Sequence, residues 1–238
     1  MAGDRGRGEP GPGDAEPQQF RPAGQHELAP AGERSRLKAN LAALRTLREL
    51  QAAGRPATGD EQAALARWSG WGAVPAVFDP ARDDYAAARA ELRALLSPAE
   101  FNAARRSTLN AHYTDAGIVG AVWSAVARLG FTGGDVLEPG CGSGNFIGLA
   151  PPDARMVGVE VEPVTAAIAA ALYPQAQVRA ESFADTRAPE GSFDLVIGNV
   201  PFGNQALADR RHNPGGHHSI HNHFLIKSLH LTRPGGLV

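Results

Sequence analysis

Asp135-Val136-Leu137-Glu138-Pro139-Gly140-Cys141-Gly142-Ser143-Gly144-Asn145-Phe146 runs from a short apolar segment into three glycines at alternate positions. The pattern predicts a β-strand, a glycine turn and the start of a helix. Glycines at such a turn let the backbone approach a ligand with no Cβ in the way, so a nucleotide-type ligand is implied. Two classes compete. Dinucleotide folds use G-x-G-x-x-G to seat a pyrophosphate on the helix N-terminus, whereas here the spacing is G-x-G-x-G and Asn145 stands where the third glycine would be. That spacing favours S-adenosylmethionine. Glu138, just before the glycines, suits the positively charged methionine end of that molecule and would repel a pyrophosphate. The candidate cofactor loop is therefore Glu138, Pro139, Gly140, Cys141, Gly142, Gly144, Asn145 and Phe146.

Downstream, Val157-Gly158-Val159-Glu160 is an apolar strand ending in an acid, placed where a carboxylate would accept hydrogen bonds from ribose hydroxyls. Glu160 is the expected ribose ligand, and Glu162 is expected to point away into solvent. Over Val178 to Phe183 the adenine ring is expected to be met by Phe183, or by Glu181 and Ser182. Phe193 to Gly198 reads as a buried parallel strand, and Asn199-Val200-Pro201-Phe202 follows at its carboxyl end, the edge where open α/β sheets bind ligands. An exocyclic amine is a weak nucleophile because its lone pair is delocalised into its ring. Acceptors aimed at its two N–H groups push it towards tetrahedral geometry; Asn199 supplies a side-chain carbonyl and Val200 a backbone one. Pro201 stiffens the turn, and Phe202 offers a face for a base extruded from the duplex. These four are the candidate catalytic residues.

Around these motifs, apolar runs alternate with helical segments, the signature of a parallel α/β sheet. The sequence divides into a disordered tail over residues 1–33, a helical region over 34–107 and a sheet domain over 108–238. The tail alternates Gly, Pro and charges, with little to bury against the entropy of ordering it. In the helical region Leu37, Leu41, Leu44, Leu47 and Leu50 recur at helical spacing. Thr58 to Glu61 and Ser97 to Glu100 read as capping boxes, Asp83 to Leu96 as a helix, and Trp68-Ser69-Gly70-Trp71-Gly72 as a punctuating turn. Helices are also expected over Ala116 to Leu129 and His223 to Leu231, after which Arg233-Pro234-Gly235-Gly236 turns into a strand starting at Leu237.

The 238 residues are 43% hydrophobic, enough for a substantial core, and the formal charge is -2. No global basic excess marks the chain as a nucleic-acid binder, so any such contact is local or made by other segments. Cys141 is the single cysteine; it excludes an internal disulfide, fits a reducing, cytoplasmic setting, and reads as a packing residue. No run of about 18 apolar residues predicts a membrane span. His212, His217, His218, His221, His223 and His230 crowd one segment. With no cysteine or carboxylate at ligand spacing beside them, no metal site is assigned, and a mobile loop is expected instead. Arg210 and Arg211 are read as phosphate contacts or a solvated loop, and Lys227 as structural.

Together, Asn110-Ala111-His112-Tyr113-Thr114, the Leu137 to Phe146 loop, Gly158-Val159-Glu160, Ile197 to Phe202 and the Phe224 to Gly236 tail resemble the ordered motifs of N6-adenine DNA methylases. More narrowly, Trp68 to Gly72, Leu109 to Thr114 and Ile197 to Gly203 resemble large phage- and plasmid-borne proteins in which such a methylase precedes a helicase. The resemblance implies a Rossmann-like class I methyltransferase sheet, S-adenosyl-L-methionine as cofactor with Tyr113 and Thr114 against its methionine part, and adenine in DNA as substrate. The family's tetrad has Pro where this chain has Val200, which keeps the carbonyl and loses rigidity. The family's sheet has further strands, so a truncated domain, incomplete at its carboxyl end and poorly stable alone, is expected, with a helicase or target-recognition segment elsewhere. Two other readings stay open: a class I methyltransferase acting on a protein amide or amine, and a non-catalytic binding module.

Overall fold

A computed structural model describes residues 18–108 and 113–238. Residues 1–17 of the expected tail and Leu109 to His112 of the motif ahead of Tyr113 lie outside the described residues.

The helical region expected at the amino-terminal side is present: α1 (Glu33–Ala53), α2 (Gly59–Ala66), α3 (Ala86–Leu95) and α4 (Pro98–Ser107). Leu41, Leu44, Leu47 and Leu50 form the buried stripe of α1, and Gly54, in the left-handed region, returns its N–H to the Leu50 carbonyl to end the helix. Both expected capping boxes form, on Thr58 with Glu61 and on Ser97 with Glu100. Trp68 to Gly72 is more than punctuation. Trp68 and Trp71 are each 1% exposed, and edge-to-face contacts run from Trp68 through Trp71 and Phe78 to Phe101. The buried Asn40 amide of α1 holds the turn, donating to the Gly70 carbonyl (2.6 Å) and accepting from the Ser69 N–H (2.9 Å).

The sheet domain contains α5 (Ala116–Arg128), β1 (Gly134–Pro139), α6 (Asn145–Gly148), β2 (Ala154–Glu160), α7 (Pro163–Leu172), β3 (Gln177–Ala180), β4 (Phe193–Val196), α8 (Ile220–Leu231) and β5 (Thr232–Leu237). The strands are all parallel in the order β3-β2-β1-β4-β5, the Rossmann-like α/β sheet expected. The chain leaves β1 towards β2 and β3 and returns on the other side at β4, so the strand order reverses between β1 and β4. The crevice outside the carboxyl ends of those two strands is where this topology binds ligands. One face of the sheet packs into a core continuous with the helical region, in which α1, α2 and α4 all contact α7. The other face, with Leu137, Val159, Phe193 and Val196, is covered by Ile220, Phe224 and Leu231 of α8.

Two expectations need correction. The tail is not disordered throughout, because residues 18–33 are anchored to the sheet domain. The Phe20 N–H donates to the Leu172 carbonyl (3.0 Å), Arg21 donates to the Ala150 carbonyl (3.1 Å), Gln25 accepts from the Ala116 N–H (2.9 Å), and Leu28 is 3% exposed. A few long-range contacts suffice where local composition predicts none. The fifth strand starts at Thr232 rather than Leu237, directly from the end of α8. Six residues of β5 lie against Phe193 to Leu195, with a register shift between the paired ends. Gly235, at φ +80°, takes up the excess as a bulge, so Pro-Gly-Gly sits inside a strand instead of before it.

Candidate active site

The glycine loop leaves β1 as expected, and its left-handed backbone explains the residue type: φ is +71° at Gly140, +55° at Gly142 and +87° at Gly144. The helix that follows, α6, is only four residues long. The Gly140 and Cys141 N–H groups donate to the Val159 carbonyl (2.8 and 2.9 Å), which ties the loop to the end of β2. Glu160 closes the same corner, accepting from the Gly142 N–H (2.9 Å) and the Glu162 N–H (2.8 Å). Each of its oxygens keeps a second lone pair for a ligand hydroxyl. Asn145 donates to the Thr114 carbonyl (2.8 Å), drawing the Tyr113-Thr114 segment against the loop. Tyr113 covers Gly142, where an added Cβ would lie 3.1 Å from the ring.

A cavity of about 300 Å3 opens over this corner. Among the sequence-derived residues, it brings together Tyr113, Thr114, Glu138, Gly140, Cys141, Gly142, Asn145, Phe146, Glu160, Ser182, Phe183, Asn199 and Pro201. Pro139, Gly144, Val200 and Phe202 do not line it. Val200 packs with the α8 face of the core. Phe202 is 70% exposed, its ring stacked 6.1 Å from that of His221. Glu181 also lines the cavity. Lining residues missed by sequence reasoning include Gln205, Leu207 and Ile220 beyond β4 and, from the helical region, Arg106 and Ser107 at the end of α4 together with Gly70 of the tryptophan turn. Only the docking of the helical region on α7 brings the last three here, and no local pattern signals it.

The electrostatics are acidic. Glu138 is 3% exposed and its Oε2 has no hydrogen-bond partner among the described residues; burial first, then the neighbouring Glu160, pushes its carboxyl well above the usual range. Burial raises Glu160 too, against the backbone N–H groups that favour its charged form. Glu162, expected in solvent, is instead 3% exposed and caps α7, accepting from the Val164 and Thr165 N–H groups and the Thr165 hydroxyl. Trp68 donates to that hydroxyl (3.0 Å), linking the tryptophan turn to the cavity wall. Cys141 is a packing residue, 5% exposed, and burial pushes its thiol up and away from the thiolate.

Beyond β4, the segment expected to be mobile is anchored. Asp209, 3% exposed, accepts from His223 (3.1 Å), Lys227 (3.0 Å) and the Arg211 and His212 N–H groups. Burial pushes the Asp209 carboxyl up, but these hydrogen bonds outweigh it and hold it below the ordinary carboxylate range. Lys227 also donates to the Phe183 and Ala184 carbonyls, pinning the turn at Phe183 to α8, which gives the structural role expected of it a specific form.

Residues 137–203, the segment that carries the glycine loop, Glu160 and Asn199, match the family model described as "Methyltransferase domain". This segment is similar to methyltransferase domains. Its cofactor is S-adenosylmethionine. Over 134 residues the chain is 29% identical to the Defense against restriction protein B of Escherichia phage P1; the match covers 55% of this chain and 6% of that protein. Solved structures similar to it include a Listeria monocytogenes protein described as a class I S-adenosylmethionine-dependent methyltransferase. It is 18% identical, with a TM-score of 0.44, over 84% of this chain and 72% of that one. YcgJ of Bacillus subtilis is 13% identical, with a TM-score of 0.37, over 50% and 48% of the two chains.

The cavity fits this cofactor. An orphaned, buried carboxyl at Glu138 lacks the donor that an α-ammonium would supply, and the lone pairs left on Glu160 suit hydroxyls. A cationic ligand relieves the mutual repulsion of the two carboxyls. Among the described residues no helix is long and apolar enough to cross a membrane.

Proposed function

We propose that the chain methylates the exocyclic N6 of adenine in DNA, with the base extruded from the duplex. The observation that carries this reading is Asn199, which stands just past β4 at the strand-order reversal and faces the same cavity as Gly140, Gly142 and Glu160. When bound, the cofactor supplies an electrophilic methyl group on a sulfonium. The chain's own residues do the rest. The Asn199 side-chain oxygen and the Val200 carbonyl accept the two N–H groups of the amine, turning its lone pair out of the ring plane. Pro201, close to Gly140 in the cavity wall, sets the direction of the turn. Phe202, exposed and next in sequence to the cavity-lining Pro201, has the His221 ring against it at 6.1 Å, and its face is suited to stacking on a flipped base at about 1 to 3 kcal/mol. Phe183, its ring tilted against that of Phe224 with centres 4.7 Å apart, is the adenosine-side wall of the cofactor. No residue forms a covalent bond to the substrate.

The phage relative, whose name places it in defence against restriction, supports DNA as the substrate class, as does the motif resemblance. The chain covers 6% of that relative, and target recognition by segments outside these residues belongs to the same proposal. Incubation of the protein with methyl-labelled cofactor and a mixture of DNA and protein extract tests it. Label is expected in DNA; label confined to protein overturns the DNA reading.

A further inference from the structure

The histidine-rich segment brings three ligand groups together from parts of the chain far apart in sequence. Glu190 lies in the turn before β4, His212 in the segment between β4 and α8, and His230 in the last turn of α8. The Glu190 carboxylate, the His212 ring and the His230 ring each offer a ligand atom, all within 4.8 Å of one another. The two rings meet edge to face at 5.2 Å, and His230 Nδ1 lies 3.4 Å from Glu190 Oε1. The Gly191 N–H donates to the His230 carbonyl (3.0 Å), which fixes the turn against the end of the helix.

A second observation points to a ligand. His212 is nine-tenths buried, and its Nδ1 faces the Asp209 carboxylate at 3.3 Å. An ionised carboxylate only accepts hydrogen bonds, so Nδ1 carries the proton and Nε2 carries the lone pair. That Nε2 is buried without a partner. Among the described residues no protein donor satisfies it, which leaves a buried acceptor at a cost of about 1 to 3 kcal/mol. A carboxylate fixing one ring nitrogen while the other stays free is the arrangement that orients histidine ligands on metals.

We propose that Glu190, His212 and His230 bind a divalent cation of the Zn2+ class, fastening the segment between β4 and α8 to the end of α8. Two imidazoles and a carboxylate match the donor preference of such a borderline ion, with a water in the fourth position. Tetrahedral ligands about 2.1 Å from the metal stand roughly 3.4 Å apart, so the three groups close by about an ångström on binding. Glu190 and His230 have the freedom to do so, with side chains 45% and 54% exposed. Arg211 competes, since its guanidinium contacts Glu190 Oε1 at 2.6 Å; being 63% exposed, it swings into solvent when the cation enters.

Tag-free protein titrated calorimetrically with Zn2+, and with Co2+ followed by its visible absorption, provides the test. One equivalent per chain is expected, with the intense visible bands of low-coordinate Co2+. His230→Ala and Glu190→Gln, both at half-exposed positions, each weaken binding at least about tenfold. Arg211→Ala binds no more weakly than the wild type, and the paired His217→Ala and His218→Ala change leaves affinity unchanged. Absence of saturable binding to the wild-type protein, or equal binding by the His230 and Glu190 variants with folded circular dichroism spectra, overturns the site.

Discussion

Asn199 and Glu138 divide the chemistry between them. Asn199 faces the cavity without belonging to the loop that holds the cofactor, so Asn199→Ala is expected to leave cofactor affinity within about twofold while methyl transfer falls at least about a hundredfold, a loss of the size seen when one polarising group is removed from an active site. Binding and single-turnover measurements on one variant separate the two. Glu138 makes affinity depend on pH. Its folded carboxyl titrates above the ordinary glutamate value of about 4.3, because burial and then Glu160 disfavour the charge. A cationic ligand prefers the ionised form, so affinity rises with pH through that raised pKa, and Glu138→Gln flattens the slope. Calorimetry across the pH range checks this, and an unchanged slope in the variant counts against the ammonium contact. Part of this corner was legible because its signals are local: the alternate glycines, the acid ending β2, and Asn199 and Pro201 after β4 reach one cavity, whereas Val200 and Phe202 of the same tetrad do not line it. Glu162 was misread for the complementary reason. Nothing in Glu160-Val161-Glu162 tells which carboxylate turns inward to cap α7, since that depends on the backbone path into the helix.

At the level of elements, the segment between β4 and α8 hangs on a single carboxylate. Asp209→Ala leaves Lys227 buried at 1% exposure with no anion, and removal of one partner of such a pair costs about 3 to 5 kcal/mol. Denaturant unfolding measures it. The sign with pH follows from a folded pKa below the unfolded value. The stabilisation is complete above the ordinary aspartate value of about 3.9 and is lost as the pH falls below it, and the variant lacks that part of the acid transition. Sequence spacing shows histidines crowding here but not Asp209 at their centre. Their partners come from α8, 14 and 18 residues away, beyond any local pattern. The same limit applied to β5, where Pro234 and Gly235 argued for a turn and pairing with β4 overrode them. Helix starts, by contrast, were legible at Thr58 and Ser97 because a capping box is complete within four residues.

At the scale of the whole molecule, the helical region and the sheet share one core, and Trp68 is its hinge point. The ring is 1% exposed, packs edge to face on Trp71 and donates to Thr165 at the start of α7. Trp68→Ala is expected to cost about 3 to 5 kcal/mol. It should lower the thermal transition of both regions together, as read by near-ultraviolet and far-ultraviolet dichroism; two separated transitions in the wild-type protein would contradict a shared core. Such docking also explains why the cavity has walls from Gly70 and Arg106 that no motif announced, since two regions each readable by themselves meet in a way that only tertiary packing decides. The central claim, that this shared framework presents Asn199 to adenine in DNA, is tested most directly by mass spectrometry of the nucleosides released from DNA after incubation with the protein and S-adenosylmethionine. N6-methyladenine is expected with the wild-type chain and not with Asn199→Ala. Methylated cytosine, or unmodified DNA from a sample that binds the cofactor and methylates protein, would contradict it.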